Sequence, residues 1–290
     1  MNNLIQNKIN LDPSLEKTNY VLKGVQHKYK ETVLILSTNK CFKICKHCFR
    51  QRIFNNNEEV CNDYRAVYDY IKSHPEITNV LISGGDPLTL SNKQLEEIIM
   101  KYIPKGVNIR IGTRALTYKP ERFDKSLISL LKAYNISLQL HINLPYEYDL
   151  RTVEKLRKNG ILMRAQTVLL KGINDKEVLL TLLFKNLLRD GIYGYYIFQN
   201  RPIITKYSVP LIKGVKLINK VKSNLSGMEK TFRYIMSNSK GKVEIVGITN
   251  KHFVFRFHQA KDPKLINKVF LIPVSNKMIW WDENVKEEAK

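Results

Sequence analysis

The sequence predicts an α/β fold, a partial (βα)6 TIM-like barrel followed by a small C-terminal β extension. Three observations carry this. Short apolar runs alternate with helical patterns in series along most of the chain, the signature of a parallel sheet. The chemically unusual residues follow or close those apolar runs, where a parallel barrel gathers its active site. From about Thr231 the helical patterns give way to short strands.

The predicted strands are Val33–Leu36, Asn79–Ile82, Asn108–Ile111, Ser137–His141, Leu162–Leu169 and Tyr195–Phe198. Helical patterns lie near Asn62–Ser73, Ser91–Tyr102, Asp124–Tyr134, Leu150–Asn159 and Lys176–Arg189, with Ser91 as a helix start. Beyond them TFRYIMS, KVEIVG, HFVFRFH and KMIWW read as strands of the extension. The alternation in HFVFRFH suits a half-exposed strand, so His252 and His258 read as structural. This divides the chain into a lead-in (1–24), a core (25–230) and the extension (231–290), with no repeat, low-complexity linker or sharp boundary.

The chain has 290 residues and 43% hydrophobic content, enough for one large core. No apolar run is long enough to cross a bilayer, and the start MNNLIQNKINLDPSLEK lacks the apolar stretch of a secretion signal, so a cytoplasmic protein is expected. The net charge of +22 invites a nucleic-acid partner. The lysines, however, are spread along the whole chain, so a solvated surface that favours anionic ligands is the better reading.

The cysteines speak most clearly. Cys41, Cys45 and Cys48 form a C-x3-C-x2-C run directly after the first predicted barrel strand. Three such thiolates hold three corners of a [4Fe-4S] cluster and leave one iron open to a ligand. A structural zinc site wants four protein ligands, usually from two C-x2-C pairs. His47 is awkwardly placed as a fourth, and Cys61 reads as a buried spectator. Four cysteines, three of them clustered, do not make a disulfide framework.

Other motifs fall on the same rim. Ser83-Gly84-Gly85-Asp86 follows the second strand, where glycine amides suit a ligand carboxylate and Asp86 suits an amino group. Arg114 after the third strand can pin a carboxylate bidentately. His141 and Asn143, at alternate positions, face one side, and Gln166 in an apolar strand must find polar partners.

Together, CFKICKHCFRQR, ISGGDPL, RIGTR, LHIN, QTVLLKGIND and YYIFQ resemble the radical S-adenosylmethionine (SAM) superfamily, and within it the lysine 2,3-aminomutase family, from about Val25 to Lys242. The resemblance implies a barrel of radical SAM type, with iron on Cys41, Cys45 and Cys48. SAM would chelate the open iron and yield a 5′-deoxyadenosyl radical for a 1,2 amino shift on an amino acid. His47 would lie against the adenine. Gly84, Gly85 and Asp86 would meet the methionine amino group, while Arg114, His141 and Gln166 would line the SAM site. Arg50 would take the substrate α-carboxylate. It also implies a small amino-acid-like substrate and a reductant protein such as flavodoxin or ferredoxin, and it admits a homo-oligomer.

The chain departs from the family in two places. Lys242 falls where members hold pyridoxal 5′-phosphate (PLP), but the glycine run before it is replaced by Ser237-Asn238-Ser239-Lys240-Gly241. A PLP role and a plain surface lysine both stay open. Arg201 and Ile235 stand where lysine-specific members carry aspartates for the substrate's distal ammonium. A PLP-independent enzyme of the same ancestry, acting on a peptide, a protein side chain or RNA, is the alternative. A non-catalytic cluster or zinc protein that binds nucleic acid is the most remote.

Overall fold

The computed structural model describes residue 12, residues 15–54 and residues 57–281. Among them the strands form a single sheet in chain order. Two short antiparallel strands absent from the sequence reading, β1 (Tyr20–Leu22) and β2 (Val25–Tyr29), precede the barrel. The barrel alternates β3 (Thr32–Leu36), α1 (Tyr64–Ser73), β4 (Asn79–Ser83), α2 (Asn92–Tyr102), β5 (Asn108–Thr113), a short α3 (Ala115–Tyr118) with α4 (Lys125–Ala133), β6 (Ser137–His141), α5 (Leu150–Lys158), β7 (Met163–Leu169), α6 (Glu177–Arg189), β8 (Tyr193–Gln199), α7 (Leu211–Ser223) and β9 (Arg233–Ser237). Strands β3 to β9 pair in parallel. The predicted (βα)6 barrel is therefore present, and its sixth helix is α7.

Local chemistry sets the helix starts. Asp63, Asp124 and Asp149 each accept a backbone N–H three residues on, and Ser91 forms a reciprocal capping box with Gln94. Strand β7, MRAQTVL, shows strict alternation: Met163, Ala165, Thr167 and Leu169 are buried, while Arg164, Gln166 and Val168 are less so. A period of two thus sends one set of side chains to the helix layer and the other to the barrel interior.

The end of the chain continues the sheet. β9 enters it in parallel, then β10 (Gly241–Ile248), β11 (His252–Ala260) and β12 (Val269–Pro273) follow antiparallel. KMIWW, expected as a strand, is not one, and VFLIP supplies the last strand instead. Trp281 packs its ring on Phe255 and Phe270, while the carbonyls of Met278 and Ile279 accept from Leu211 N–H and Gln199 Nε2. That segment is fixed by aromatic burial rather than by a ladder. Gln259 of β11 donates to Glu31 at 3.0 Å and Lys28 of β2 bonds the Asn238 carbonyl, so the two ends of the curled sheet meet. His258 sits 2.8 Å from the Tyr196 hydroxyl as a packing partner. Among the described residues no helix is long and apolar enough to cross a membrane.

Candidate active site

The inward positions stack across the barrel in register. Leu81 pairs with Arg110, Gly112 with Gln139, His141 with Gln166, and Val168 with Phe198. They wall a cavity of about 330 Å3, within the range of small-molecule sites. Cys41, Cys45, Cys48, His47, Arg50, Gly84, Gly85, Asp86, Arg114, His141, Gln166 and Lys242 all line it. Residues 201 positions apart in sequence thus meet in one chamber, because most sit at or just past the carboxyl ends of the barrel strands, while Gln166 lines it from the middle of β7 and Lys242 from the beginning of β10.

The cysteine loop is fastened from below by the glycine loop. Gly85 N–H donates to the Thr38 carbonyl at 2.6 Å, and Asp86 N–H to the Lys40 carbonyl at 2.7 Å. A Cβ on Gly84 would lie 2.3 Å from the Thr38 oxygen, and one on Gly85 2.1 Å from the Lys40 oxygen. The glycines are there so that two backbones can touch. This corrects the expectation that the Gly85 amide faces a ligand, since it is already given to Thr38. Asp86 is corrected likewise. Its buried carboxylate accepts from Leu88 N–H, Thr113 Oγ1 and Arg114 N–H at 2.8–3.1 Å, which makes it an anchor between two rim loops.

All three cluster-candidate cysteines are free thiols. Arg114 Nη1 donates to Cys45 Sγ at 2.8 Å, and Arg50 N–H approaches Cys48 Sγ at 3.4 Å. Burial, then the nearby Asp86, pushes the Cys41 thiol up to about 12, and burial also raises Cys48. Ligation therefore has to displace protons from reluctant thiols. Among the described residues no three His, Cys, Asp or Glu side chains stand close enough to grip one metal ion. Cys61 is buried in the hydrophobic core, away from the chamber.

Arg114 was expected to meet a ligand carboxylate; instead its Nη2 pairs with Glu147 of this chain at 3.2 Å. Burial raises the Glu147 carboxyl, with Arg114 opposing. His141 Nε2 donates to Asn143 Oδ1 at 3.2 Å, as the alternate spacing suggested, and Gln166 donates to Gln139 at 3.3 Å. His47 and His141 meet edge to face with centroids 5.4 Å apart. Burial drives both imidazoles toward the neutral form, His47 down to about 4.

Arg50 is buried and doubly held: Nε and Nη2 donate to Glu16 at 2.8–3.2 Å and Nη1 to Ser83 Oγ at 2.9 Å. Both terminal nitrogens keep a second hydrogen. Glu16, in the lead-in, was missed in the sequence because an acidic residue there gives no periodic signal. Arg110, Gln139 and Glu147 were missed too. The first two were findable, because each is polar at an inward position of an otherwise apolar strand. Ile235 is fully buried, whereas Arg201 lines the chamber.

Lys242 is not a surface lysine. It is the second residue of β10, lines the chamber, donates to Gln259 Oε1 at 2.8 Å and lies 4.5 Å from the Tyr29 ring centroid. Burial, then Arg110, Lys28 and Arg201, push its amine down to about 7. The sign of the linkage follows. Between pH 7 and 10.5 the unfolded chain holds a proton that the folded chain has released, so stability rises with pH across that window. Lys242→Met is expected to stabilise the protein by about 5 kcal/mol well below pH 7, with the gain fading toward pH 10.5. Thermal unfolding of both proteins at pH 6 and pH 9.5 checks this; equal gains at the two pH values would refute the buried amine.

Several buried polar atoms around the chamber have no hydrogen-bond partner among the described residues: His47 Nε2, Arg110 Nε, Arg114 Nε, Gln139 Nε2 and Arg201 Nη1. Buried polar groups are normally satisfied. A wall with this many orphans is shaped for a polar ligand.

A parallel barrel with a three-cysteine loop at the carboxyl end of its first parallel strand, opening on a polar chamber, defines a class: the radical SAM enzymes. The radical SAM superfamily model matches residues 35–184. The chain is 37% identical over 94% of its length to an Aquifex aeolicus protein provisionally named L-lysine 2,3-aminomutase, covering 77% of that protein. It is 34% identical to the L-lysine 2,3-aminomutase of Acetoanaerobium sticklandii and 31% identical to the glutamate 2,3-aminomutase of Clostridioides difficile, over 74% and 80% of its own length. It spans 55% and 57% of those two enzymes. Streptococcus suis SuiB shares the fold, with a TM-score of 0.52 at 15% identity over 70% of this chain and 48% of that one. The chain belongs to the radical SAM superfamily and, within it, to the lysine 2,3-aminomutase family.

Proposed function

We propose that the chain carries a [4Fe-4S] cluster on Cys41, Cys45 and Cys48, binds SAM beside it, and uses PLP on Lys242 to move an amino group between adjacent carbons of an amino acid. The observation that carries this reading is the single chamber, where the three thiols, the unpartnered imidazole of His47 and the buried amine of Lys242 all open. The fit is chemical. Two N–H donors already aim at cysteine sulfurs, and a neutral imidazole with a free nitrogen suits a nucleobase edge. An amine pushed down to about 7 is about half unprotonated at pH 7 and increasingly so above it, the state that attacks an aldehyde carbon.

When bound, the cluster and SAM would supply one-electron cleavage of the sulfonium, and PLP a place to stabilise the migrating nitrogen. The chain's own tasks are narrower. His47, Arg114, His141 and Gln166 would position SAM beside the cysteine loop that Gly84, Gly85 and Asp86 hold in place, and the spare hydrogens of Arg50 would hold the substrate carboxylate. The closed barrel would keep water from a radical. A reductant protein such as flavodoxin or ferredoxin would deliver the electron.

One observation favours the PLP-independent alternative. The 237–242 turn is a tight hairpin in which Asn238 N–H bonds the Gly241 carbonyl and Gly241 N–H bonds Asn238 Oδ1, so those amides are not free to cradle a phosphate. Anaerobic reconstitution decides. About four irons per chain, SAM cleavage on reduction, and a pyridoxal absorbance lost in Lys242→Ala support the full reading. SAM cleavage without pyridoxal binding selects the alternative. A chain that takes up iron yet cleaves no SAM refutes both.

A further inference from the structure

Lys242 of β10 and Gln259 of β11 are cross-strand partners, and Lys242 Nζ donates to Gln259 Oε1 at 2.8 Å. The other end of that amide is taken as well. Gln259 Nε2 donates to Oε1 of Glu31, in the turn between β2 and β3, at 3.0 Å. An ionised carboxylate only accepts, so Glu31 dictates which end of the amide it meets. The NH2 must face Glu31, and the carbonyl oxygen is left for Lys242. A flipped amide would set its oxygen against a carboxylate and its hydrogens against the lysine. The turn itself is pinned, because the Glu31 carbonyl accepts from Thr78 N–H, Asn79 N–H and Asn79 Nδ2 at 2.9–3.1 Å.

Two rings flank the amine, which lies 4.5 Å from the Tyr29 centroid and 5.7 Å from that of Tyr196. After burial, Arg110 of β5, Lys28 of β2 and Arg201 past β8 disfavour the ammonium, while Glu31 favours it. His258 of β11, bonded to the Tyr196 hydroxyl, is driven neutral by burial and Arg233. We propose that Gln259 is a positioning residue for Lys242: locked by Glu31, its carbonyl takes one hydrogen of the amine and turns the nitrogen lone pair toward the chamber. The inference rests on the PLP reading above and adds the groups that aim its nucleophile. In the step, the nitrogen bonds the aldehyde carbon, and both amine hydrogens leave with the aldehyde oxygen as water. The bond to Gln259 therefore guides the approach and is given up in the product. Orientation of this kind raises a rate without changing basicity.

The test needs neither SAM nor cluster. Competitive acetylation from pH 5 to pH 10, with the Lys242 peptide read by mass spectrometry, follows the titration of that amine. Borohydride trapping of added PLP at pH 9 gives the rate of attack by the unprotonated form. In Gln259→Met the ammonium loses its acceptor, so the acid dissociation constant of Lys242 should rise about tenfold or more. Trapping at pH 9 should slow by about tenfold. Glu31→Gln should move both readings the same way, by less. A Gln259 that merely closes the sheet would lower the melting temperature and move neither. An unmoved Lys242 titration in Gln259→Met, or trapping at pH 9 as fast as in the unmodified chain, overturns the proposal. If the unmodified chain traps no PLP on Lys242, the PLP reading falls, and the titration alone decides whether Gln259 holds the amine.

Discussion

Glu16→Ala is expected to destabilise the protein by about 3–5 kcal/mol, the typical result of removing one partner from a buried ion pair. Glu16 is 6% exposed and its carboxylate receives Arg50 Nε and Nη2 and Arg52 Nη2 at 2.8–3.2 Å. Without it, among the described residues Arg50 keeps the Ser83 hydroxyl as its side-chain hydrogen-bond partner and Arg52 leans on Glu59 and Asp12. Two guanidinium charges then remain in a low-dielectric wall. For a domain of this size such a loss lowers the melting temperature by roughly 6–15 °C. The pH dependence gives a second check. Burial opposes ionisation of Glu16, but Arg50, Arg52 and Arg201 outweigh it and hold the carboxyl far below its ordinary 4.5. A depressed carboxyl contributes stability above its unfolded pKa and loses it as pH falls toward the folded value. The gap between the unmodified chain and Glu16→Ala should therefore be full at pH 7 and narrow below about pH 4.5. A gap that stays constant down to pH 3 would mean that the arginines are not held by this charge. Lys101→Ala, which breaks an exposed pair with Glu97, should change nothing measurable.

The same residue marks where sequence reasoning stops. The parallel strands were legible because burial on both sheet faces leaves dense apolar runs, and because polar residues break those runs at the carboxyl ends. β6 was placed at Ser137–His141 to the residue for this reason. α7 was not legible, since Gly214 interrupts LIKGVKLINKVKS. The structure supplies the cause: a Cβ at Gly214 would lie 2.2 Å from the Tyr234 hydroxyl, so close packing overrides propensity. β2, VQHKY, reads as polar, and its strand state depends on pairing with β3. The chamber's motif residues were legible one by one. Their division of labour was not. Asp86 and Gly85 look like ligand contacts in sequence but are spent on backbone anchoring, a distinction that needs the partner atoms. Lys242 was undecided because burial of a lysine after a turn is a tertiary property.

Gly85→Ala should detach the cysteine loop from its support and so abolish cluster assembly without touching a cysteine. The added Cβ would sit 2.1 Å from the Lys40 carbonyl oxygen, 2.7 Å from its carbon and 2.9 Å from its nitrogen. All three are backbone atoms, so no rotamer change relieves the clash. Either the β4–α2 loop or the 37–40 segment must move, and the 2.6 Å and 2.7 Å bonds from Gly85 and Asp86 break with it. Overpacking of this kind costs about 1–3 kcal/mol or more. The functional loss should exceed the loss of stability, because three sulfurs must keep their spacing to hold one cluster. The discriminating measurement is iron and sulfide per chain after anaerobic reconstitution, read beside the melting curve. Gly85→Ala is expected to remain folded at 20 °C yet carry little iron, and SAM cleavage should vanish with the iron. Gly247→Ala, where a Cβ meets nothing within 4 Å, is expected to load iron and melt like the unmodified chain. Full iron loading in Gly85→Ala would show that the cysteine loop holds its shape without the glycine loop beneath it, and the anchoring role assigned to Gly85 and Asp86 would fall.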